Sequence, residues 1–149
     1  MSIKFIALTD FGNMYKSSPA GRVSLIRHGV RAIEVKDMAG LMATPQERIF
    51  KILKLSTATV NRKASRDEAL SPDDSERVVG MSNLIGQVQI MVEQSGQPDG
   101  FDAAKWVARW LEQPVPALGG ECPADYMDTM EGQRLVSSLL ATMQSGAYA

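Results

Sequence analysis

Residues 106–149 read WVARWLEQPVPALGGECPADYMDTMEGQRLVSSLLATMQSGAYA, a pattern that predicts helices joined by a sharp corner. The first helix has one apolar face, formed by Trp106, Val107, Trp110 and Leu111. It must end near Gln113, because Pro114 and Pro116 lack a backbone N–H and restrict the residues before them. The stretch therefore predicts a compact helical module.

The corner contains Leu118, Gly119 and Gly120, which supply one apolar side chain and two residues that tolerate positive φ. Pro123 suits the first position of a helix, because its missing N–H would have no helical partner there. We therefore expect a short helix over residues 124–129.

A last helix carries a stripe of apolar residues that is expected to be buried and ends near Gly146, a residue type suited to a left-handed cap. The stripe is Leu135, Val136, Leu139, Leu140 and Met143. Three aromatic residues suit either the core or an interface, with the core as the expected place for any single one: Trp106, Trp110 and Tyr126.

Two short helices in the first half have the outline of a helix-turn-helix. The sequence TPQE at 44–47 suggests a capping box, with the Thr44 side chain as the cap and Glu47 returning a bond to the cap amide. A turn follows, and Ser56 is expected to cap a helix over 57–65. This segment is predicted to be all-helical.

Further helix starts are marked by polar caps. Ser18 precedes Pro19 and opens a helix to about residue 28, and Asp102 precedes the Trp106 helix. Ser71, followed by proline and acids, opens the longest helix, which runs to about Ser95. We expect this helix to link the two halves of the chain.

The predicted fold class is all-α, with an N-terminal helix-turn-helix bundle joined by the long helix to a C-terminal helical domain. The expected boundaries are 1–17, 18–68 and 69–149. Residues 3–8 suggest a lone strand without a partner, so residues 1–17 are expected to be a mobile arm or an edge contact with another chain.

The charge is divided between the halves, although the net charge is only -1. Residues 16–66 contain eleven Lys or Arg against three acids, whereas residues 67–149 contain four against thirteen. A basic half suits a polyanion and an acidic half suits a basic partner or solubility, although charges clustered by chance on solvated helices would look the same.

Enzyme classes are poorly supported. One cysteine, Cys122, and one histidine, His28, are too few for the usual zinc sites or for a disulfide, and they do not form an obvious nucleophile pair. We expect no metal, no cofactor and no catalytic residue. No signal peptide or membrane-spanning run is apparent, so a cytoplasmic protein without membrane contact is expected.

Several spaced motifs together resemble one protein family. Trp-Leu, Pro-x-Pro-x-Leu-Gly-Gly, Pro-x-x-Tyr-Met and Thr-x-x-Gly follow one another within residues 110–132, and LSPDDSER stands at 70–77. This combination resembles Xre-type antitoxins, the partners of RES-domain toxins, over roughly residues 30–149. The resemblance implies an antitoxin of a type II toxin–antitoxin system, which binds a RES-domain toxin and covers its NAD-consuming active site. A homodimer is expected, because one helix-turn-helix module would bind DNA weakly and a specific repressor needs two half-sites. The C-terminal helical domain would then serve toxin binding and dimerisation. The resemblance also implies repression of its own operon by operator DNA binding.

The predicted helix-turn-helix indicates which residues would contact DNA. Residues of the second helix suit bases or phosphates, and the lysines before it suit phosphates. The candidates are Lys51, Lys54, Thr57, Thr59, Asn61, Arg62, Lys63 and Arg66, with Arg48 also expected near the backbone. Asn-Arg-Lys at a helix end is equally compatible with a solvated cap.

The resemblance implies a toxin contact at the C-terminus, where a terminus without that role would simply fray. The candidate residues are Leu118, Gly119, Gly120, Gly146, Ala147, Tyr148 and Ala149. Tyr148 suits an aromatic-lined slot, and the Ala149 carboxylate suits a positive charge. The first alternative is a stand-alone helix-turn-helix transcription regulator with a dimerisation domain. The second is a small enzyme.

Overall fold

The computed structural model describes residues 4–96 and 99–145, and within them the fold is all-helical, as the sequence predicts. Residues 4–10 are an extended segment and a turn ahead of the first helix. The helices are α1 (Phe11–Lys16), α2 (Pro19–His28), α3 (Ala32–Leu41), α4 (Gln46–Ile52), α5 (Thr57–Ser65), α6 (Pro72–Gln94), α7 (Ala103–Leu111) and α8 (Met130–Ser145), with 3₁₀ helices at Pro116–Leu118 and Pro123–Tyr126. None of the described helices is long and apolar enough to cross a membrane.

Four helix starts follow from the capping chemistry expected from the sequence. Each cap side chain accepts a hydrogen bond from the backbone N–H three residues later, at 3.0 Å for Ser18 and Asp102 and at 3.2 Å for Ser56 and Ser71. These bonds satisfy donors that the first helical turn leaves without a partner. The starts of α2, α5, α6 and α7 are therefore encoded locally.

The start of α4 differs from the capping box predicted at residues 44–47. The Thr44 hydroxyl donates to the Met42 carbonyl at 3.0 Å, and the cap position belongs to Pro45, which has no side-chain cap bond. The chain turns through a left-handed Ala43, with φ of 51°, and Thr44 closes that turn instead of capping α4. Similarly, the short helix expected over 124–129 is a 3₁₀ helix at Pro123–Tyr126.

Within the described residues, the segment from residue 4 to residue 17 packs into the fold, which corrects the expectation of a mobile arm there, and residues 4–8 do not form a strand. Leu8 and Met14 are buried, and the Leu8 carbonyl accepts a 2.6 Å hydrogen bond from Ser82 of α6. The Leu8 amide donates to the Glu34 carboxylate at 3.2 Å. Side chains of α3 and α6 thus bond both backbone groups of Leu8, and this anchors the segment without a second strand.

Helix α6 is the centre of the molecule, since α1, α2, α7 and α8 all pack on it. Two glycines of α6 permit the closest approaches of α1 and α8 to this helix. A Cβ at Gly86 would overlap the Phe11 carbonyl of α1, and one at Gly80 would overlap the side-chain oxygen of Gln133 in α8. The carboxamide nitrogen of Gln133 donates to the carbonyls of Arg77 and Met127, at 3.1 and 2.9 Å.

Arg77 of α6 holds the turn between α4 and α5. Its Nε donates to the Leu53 carbonyl at 2.7 Å, and its Nη2 donates to the Lys54 carbonyl at 3.3 Å and to the Asp74 carboxylate at 2.6 Å. Lys54 lies in the left-handed region, with φ of 57°. One guanidinium thus supplies donors to the end of α4 and fixes how α5 departs from it.

Helix α8 buries only part of the predicted stripe. Val136 and Leu140 are buried, and Met143 packs partly against the core. Leu135, by contrast, is 42 % exposed. Neighbouring helical residues point about 100° apart, so an adjacent pair such as Leu135 and Val136 does not share the centre of one buried face.

We predict that Gly86→Ala destabilises the protein by about 2 kcal/mol or more, because the new methyl group must displace the α1 backbone. The matched control is Gly40→Ala, also within a helix, where an added Cβ would meet nothing within 4 Å. That change should stabilise by about 0.5–1 kcal/mol, since Ala restricts the unfolded chain. Urea unfolding of both variants tests the difference, and equal effects would contradict it.

We also predict that Arg77→Met, which keeps the apolar stem, destabilises by about 1–3 kcal/mol because two backbone carbonyls lose charged donors. Arg134→Met is the control. It removes only the exposed ion pair with Glu131, whose N–O distance is 2.8 Å, and should cost at most about 0.5 kcal/mol. The midpoints of urea unfolding measure the loss of stability in both variants. A loss for Arg77→Met no larger than that for Arg134→Met would contradict the role of Arg77 in holding the turn.

Candidate functional site

The second helix of the predicted helix-turn-helix, α5, is held to the fold along one side and is open on the rest. Val60 is fully buried, and Ala64 packs partly against the core one turn later. Ser56 caps the helix, and Arg77 fixes the turn before it. A short helix anchored at one stripe presents most of its polar side chains outward, as a recognition helix must.

The predicted DNA-contacting residues lie on α4, on α5 and its C-cap, and in the turn between the two helices. Six are exposed and two are half-buried. The exposed residues are Lys51, Lys54, Thr57, Asn61, Arg62 and Arg66, and the half-buried ones are Thr59 and Lys63. Acids border this surface at one edge, where Glu68 lies 4.0 Å from Arg66 and Asp67 pairs with Arg31 at 2.7 Å.

Arg48, expected near the DNA backbone, is instead paired with Glu112 at the end of α7. Two parallel hydrogen bonds of 2.8 Å join the guanidinium to the carboxylate. The hydrogen bond to Glu112 is also the main cause of a raised pKa at Arg48. The partners are 64 residues apart in sequence, so the helix-turn-helix pattern alone did not reveal the pair. This pair links the basic segment to the acidic half.

The predicted toxin-contacting corner is a closed turn with two exposed glycines. The Leu118 side chain is buried, so it anchors the turn, whereas Gly119 and Gly120 are exposed with φ of 66° and 89°. The turn is closed by bonds from the Gly120 amide to the Val115 carbonyl, at 3.1 Å, and from the Val115 amide to the Glu121 carbonyl, at 3.0 Å. The other candidates, Gly146, Ala147, Tyr148 and Ala149, lie outside the described residues.

The two residues considered for nucleophilic chemistry have structural contacts. His28 stacks on Phe5, with ring centroids 4.5 Å apart. The Cys122 thiol lies 3.4 Å from the Glu112 carbonyl, to which it donates, and Cys122 caps the 3₁₀ helix that follows it. Among residues 4–96 and 99–145, no group of three or more His, Cys, Asp or Glu is placed to hold a metal ion.

A groove that the sequence did not indicate lies at the start of α8. This α8 groove has a volume of about 570 Å³ and is lined by Tyr126, Thr129, Glu131, Gly132, Arg134, Leu135 and Ser138. Burial against neighbouring atoms is the main cause of the raised pKa of Tyr126, and the nearby Glu121 carboxylate adds to it.

The predicted aromatic residues of α7 occupy an intermediate position. Trp106 and Trp110 stack at 5.7 Å between ring centroids and 15° between ring planes, and both pack partly against the core. Tyr126 is likewise half-buried. Core packing therefore accounts for one side of each ring and leaves another side in solvent.

Comparison with known proteins covers both halves of the chain. The family model of the antitoxin Xre-like helix-turn-helix domain matches residues 21–82, and that of the antitoxin Xre/MbcA/ParS C-terminal toxin-binding domain matches residues 99–146. The chain is also 50% identical over 136 residues to the Prs ADP-ribosylating antitoxin of Sphingobium sp. (strain YBL2), covering 91% of this chain and 86% of the relative.

These matches agree with the resemblance seen in the spaced motifs and describe toxin-binding proteins that are not enzymes. The first match spans α4, α5 and the α6 residues that hold them, and the second spans α7, the corner and α8. The chain is therefore an antitoxin of a toxin–antitoxin system, built from a helix-turn-helix domain and a toxin-binding domain, and it belongs to the Xre/MbcA/ParS antitoxin family.

Proposed function

We propose that the partner of this antitoxin is a RES-domain toxin that consumes NAD, and that the antitoxin inhibits it by covering its active site. The observation that carries the proposal is the 50% identity to an antitoxin whose name includes ADP-ribosylation. ADP-ribosylation takes its ADP-ribose from NAD, so such a toxin needs a cleft that binds the pyrophosphate with positive charge. The acidic half of this chain complements such a cleft.

In this proposal the last four residues enter the cleft. They follow directly on α8, the last helix matched by the toxin-binding domain. Tyr148 would fill an aromatic-lined slot, and the Ala149 carboxylate would meet the charge that otherwise holds the NAD pyrophosphate. Gly119 and Gly120, on the exposed turn, would add backbone contacts. Inhibition then requires occupancy alone, with no chemistry on the antitoxin.

We also propose that residues 18–68 bind operator DNA and repress the operon of the antitoxin, while residues 69–149 bind the toxin. The exposed cations of α5 and of the preceding turn support the DNA contact. One such module gives weak affinity, so a homodimer would read two half-sites. Both partners place the chain in the cytoplasm in this proposal.

The test of inhibition is a deletion of residues 146–149. We expect the shortened chain still to bind the toxin but to raise the inhibition constant for NAD consumption by at least about thirtyfold, because the groups that fill the cleft are lost. Deleting residues 2–3 is the matched end truncation and should leave inhibition within about twofold of the full chain. NAD consumption by purified toxin is the measurement.

Equal inhibition by the full and shortened chains would refute the proposed role of the last four residues. If the full chain binds no toxin encoded beside it and binds only DNA, the stand-alone regulator takes the place of the inhibition proposal.

The test of DNA binding compares variants of two exposed cations, Arg62 and Lys51, with a variant of the paired Arg48. Arg62→Ala should weaken binding to the DNA upstream of the gene by at least about fivefold. Lys51→Ala should reduce the slope of log binding constant against log salt concentration by about one, because one phosphate contact is lost. Arg48→Ala is the control, because Arg48 is already paired with Glu112, and affinity should stay within about twofold. Fluorescence anisotropy at several salt concentrations measures these effects. Equal loss at Arg48 and Arg62 would contradict the assignment of α5.

A further inference from the structure

The α8 groove combines an exposed apolar side chain with a fixed wall. Leu135 is 42 % exposed and stands beside Tyr126, which lies at the end of the second 3₁₀ helix. A Cβ at Gly132 would overlap the Tyr126 carbonyl, so glycine at this position brings the first turn of α8 against that 3₁₀ helix. The Gly132 amide donates to the Thr129 hydroxyl at 2.9 Å, which caps the same turn. The groove is therefore preformed.

The surroundings of the groove are acidic. Glu121 and Asp125 are exposed, and both act electrostatically on the Tyr126 hydroxyl at the wall of the groove. In the lining itself, Arg134 is paired with Glu131 at 2.8 Å, so these two opposite charges offset each other. An apolar side chain with two further carboxylates nearby fits a partner surface that presents an apolar residue beside lysines or arginines.

The groove also lies on the helix that leads to the C-terminus. Leu135 is ten residues before Ser145, the last residue of α8, which corresponds to about 15 Å along the helix axis. The last four residues of the chain begin immediately after that point. One partner of ordinary domain size can therefore touch the groove and receive the C-terminal residues at the same time.

We infer that the α8 groove is the docking surface for the basic rim of the toxin's NAD cleft, with an apolar side chain of the toxin seated between Leu135 and Tyr126. This inference rests on the proposed function, because the positive charge of the rim follows from NAD binding. The groove supplies the docking contact, and the last four residues supply the occlusion.

The test is the affinity of the full-length chain for the toxin encoded beside its gene, measured by titration calorimetry. Leu135→Arg places a cation among the toxin's cations and should weaken binding by at least about thirtyfold. Val23→Arg is the matched control, since Val23 of α2 is also 42 % exposed, and it should stay within about twofold of wild type. Glu131→Lys should slow association at low salt, because it reverses one charge of the rim.

The outcomes separate the inference from the proposed function. If the wild-type chain binds no NAD-consuming toxin, both fail. If the wild type binds the toxin and Leu135→Arg binds it equally well, the inference about the α8 groove fails while the proposed function stands. If Leu135→Arg instead dissociates a homodimer and keeps its toxin affinity, the occupant is a second copy and the inference fails. Circular dichroism checks that each variant is folded. If Leu135→Arg does not fold, the association rate of Glu131→Lys at low salt becomes the test of the groove.

Discussion

The close packing of helices on both sides of α6 is the constraint on which the rest of the structure depends. Gly86 admits the backbone of α1, and Gly80 admits the side chain of Gln133 from α8, so the two ends of the chain meet on one helix. Ser82 of α6 reinforces the contact with the N-terminal segment, because its hydroxyl donates a hydrogen bond to the Leu8 carbonyl. Because protein interiors are close-packed and rigid, an added methyl group at Gly86 would have to displace the α1 backbone, and one at Gly80 would have to displace the Gln133 side chain.

The same helix sets the positions of the helix-turn-helix and toxin-binding regions. Arg77 secures the turn before α5, and its carbonyl accepts a bond from Gln133 at the start of α8, so one residue contacts both regions. The ion pair between Arg48 and Glu112 is a second link, but it is partly exposed and contributes only up to about 1 kcal/mol. The spatial relation of the two regions therefore depends mainly on buried packing along α6.

Features that depend on a few neighbouring residues were predictable from the sequence, whereas features that depend on distant partners were not. The Ser56 and Ser71 hydroxyls cap helices by accepting hydrogen bonds from the backbone N–H three residues later, which is a local interaction. The N-terminal segment is anchored because Glu34 of α3 and Ser82 of α6 bond the Leu8 backbone, and a strand-like pattern contains no sign of such partners. Leu135 was assigned to the buried stripe because apolar spacing defines an arc that is wider than the face α8 buries. The start of α5 was predictable for this reason, and the α8 groove was not.

The division of charge along the chain gives the two proposed partners separate surfaces. If the proposals hold, DNA would be attracted to the cations of α5 and repelled by carboxylates near the α8 groove, such as Glu121 and Asp125. A cleft that holds the anionic NAD would have the opposite preference, because it would be attracted to those carboxylates and repelled by Arg62 and its neighbours. Opposite charge on the two surfaces would then disfavour exchange of partners between them, although the net charge of the chain is only -1.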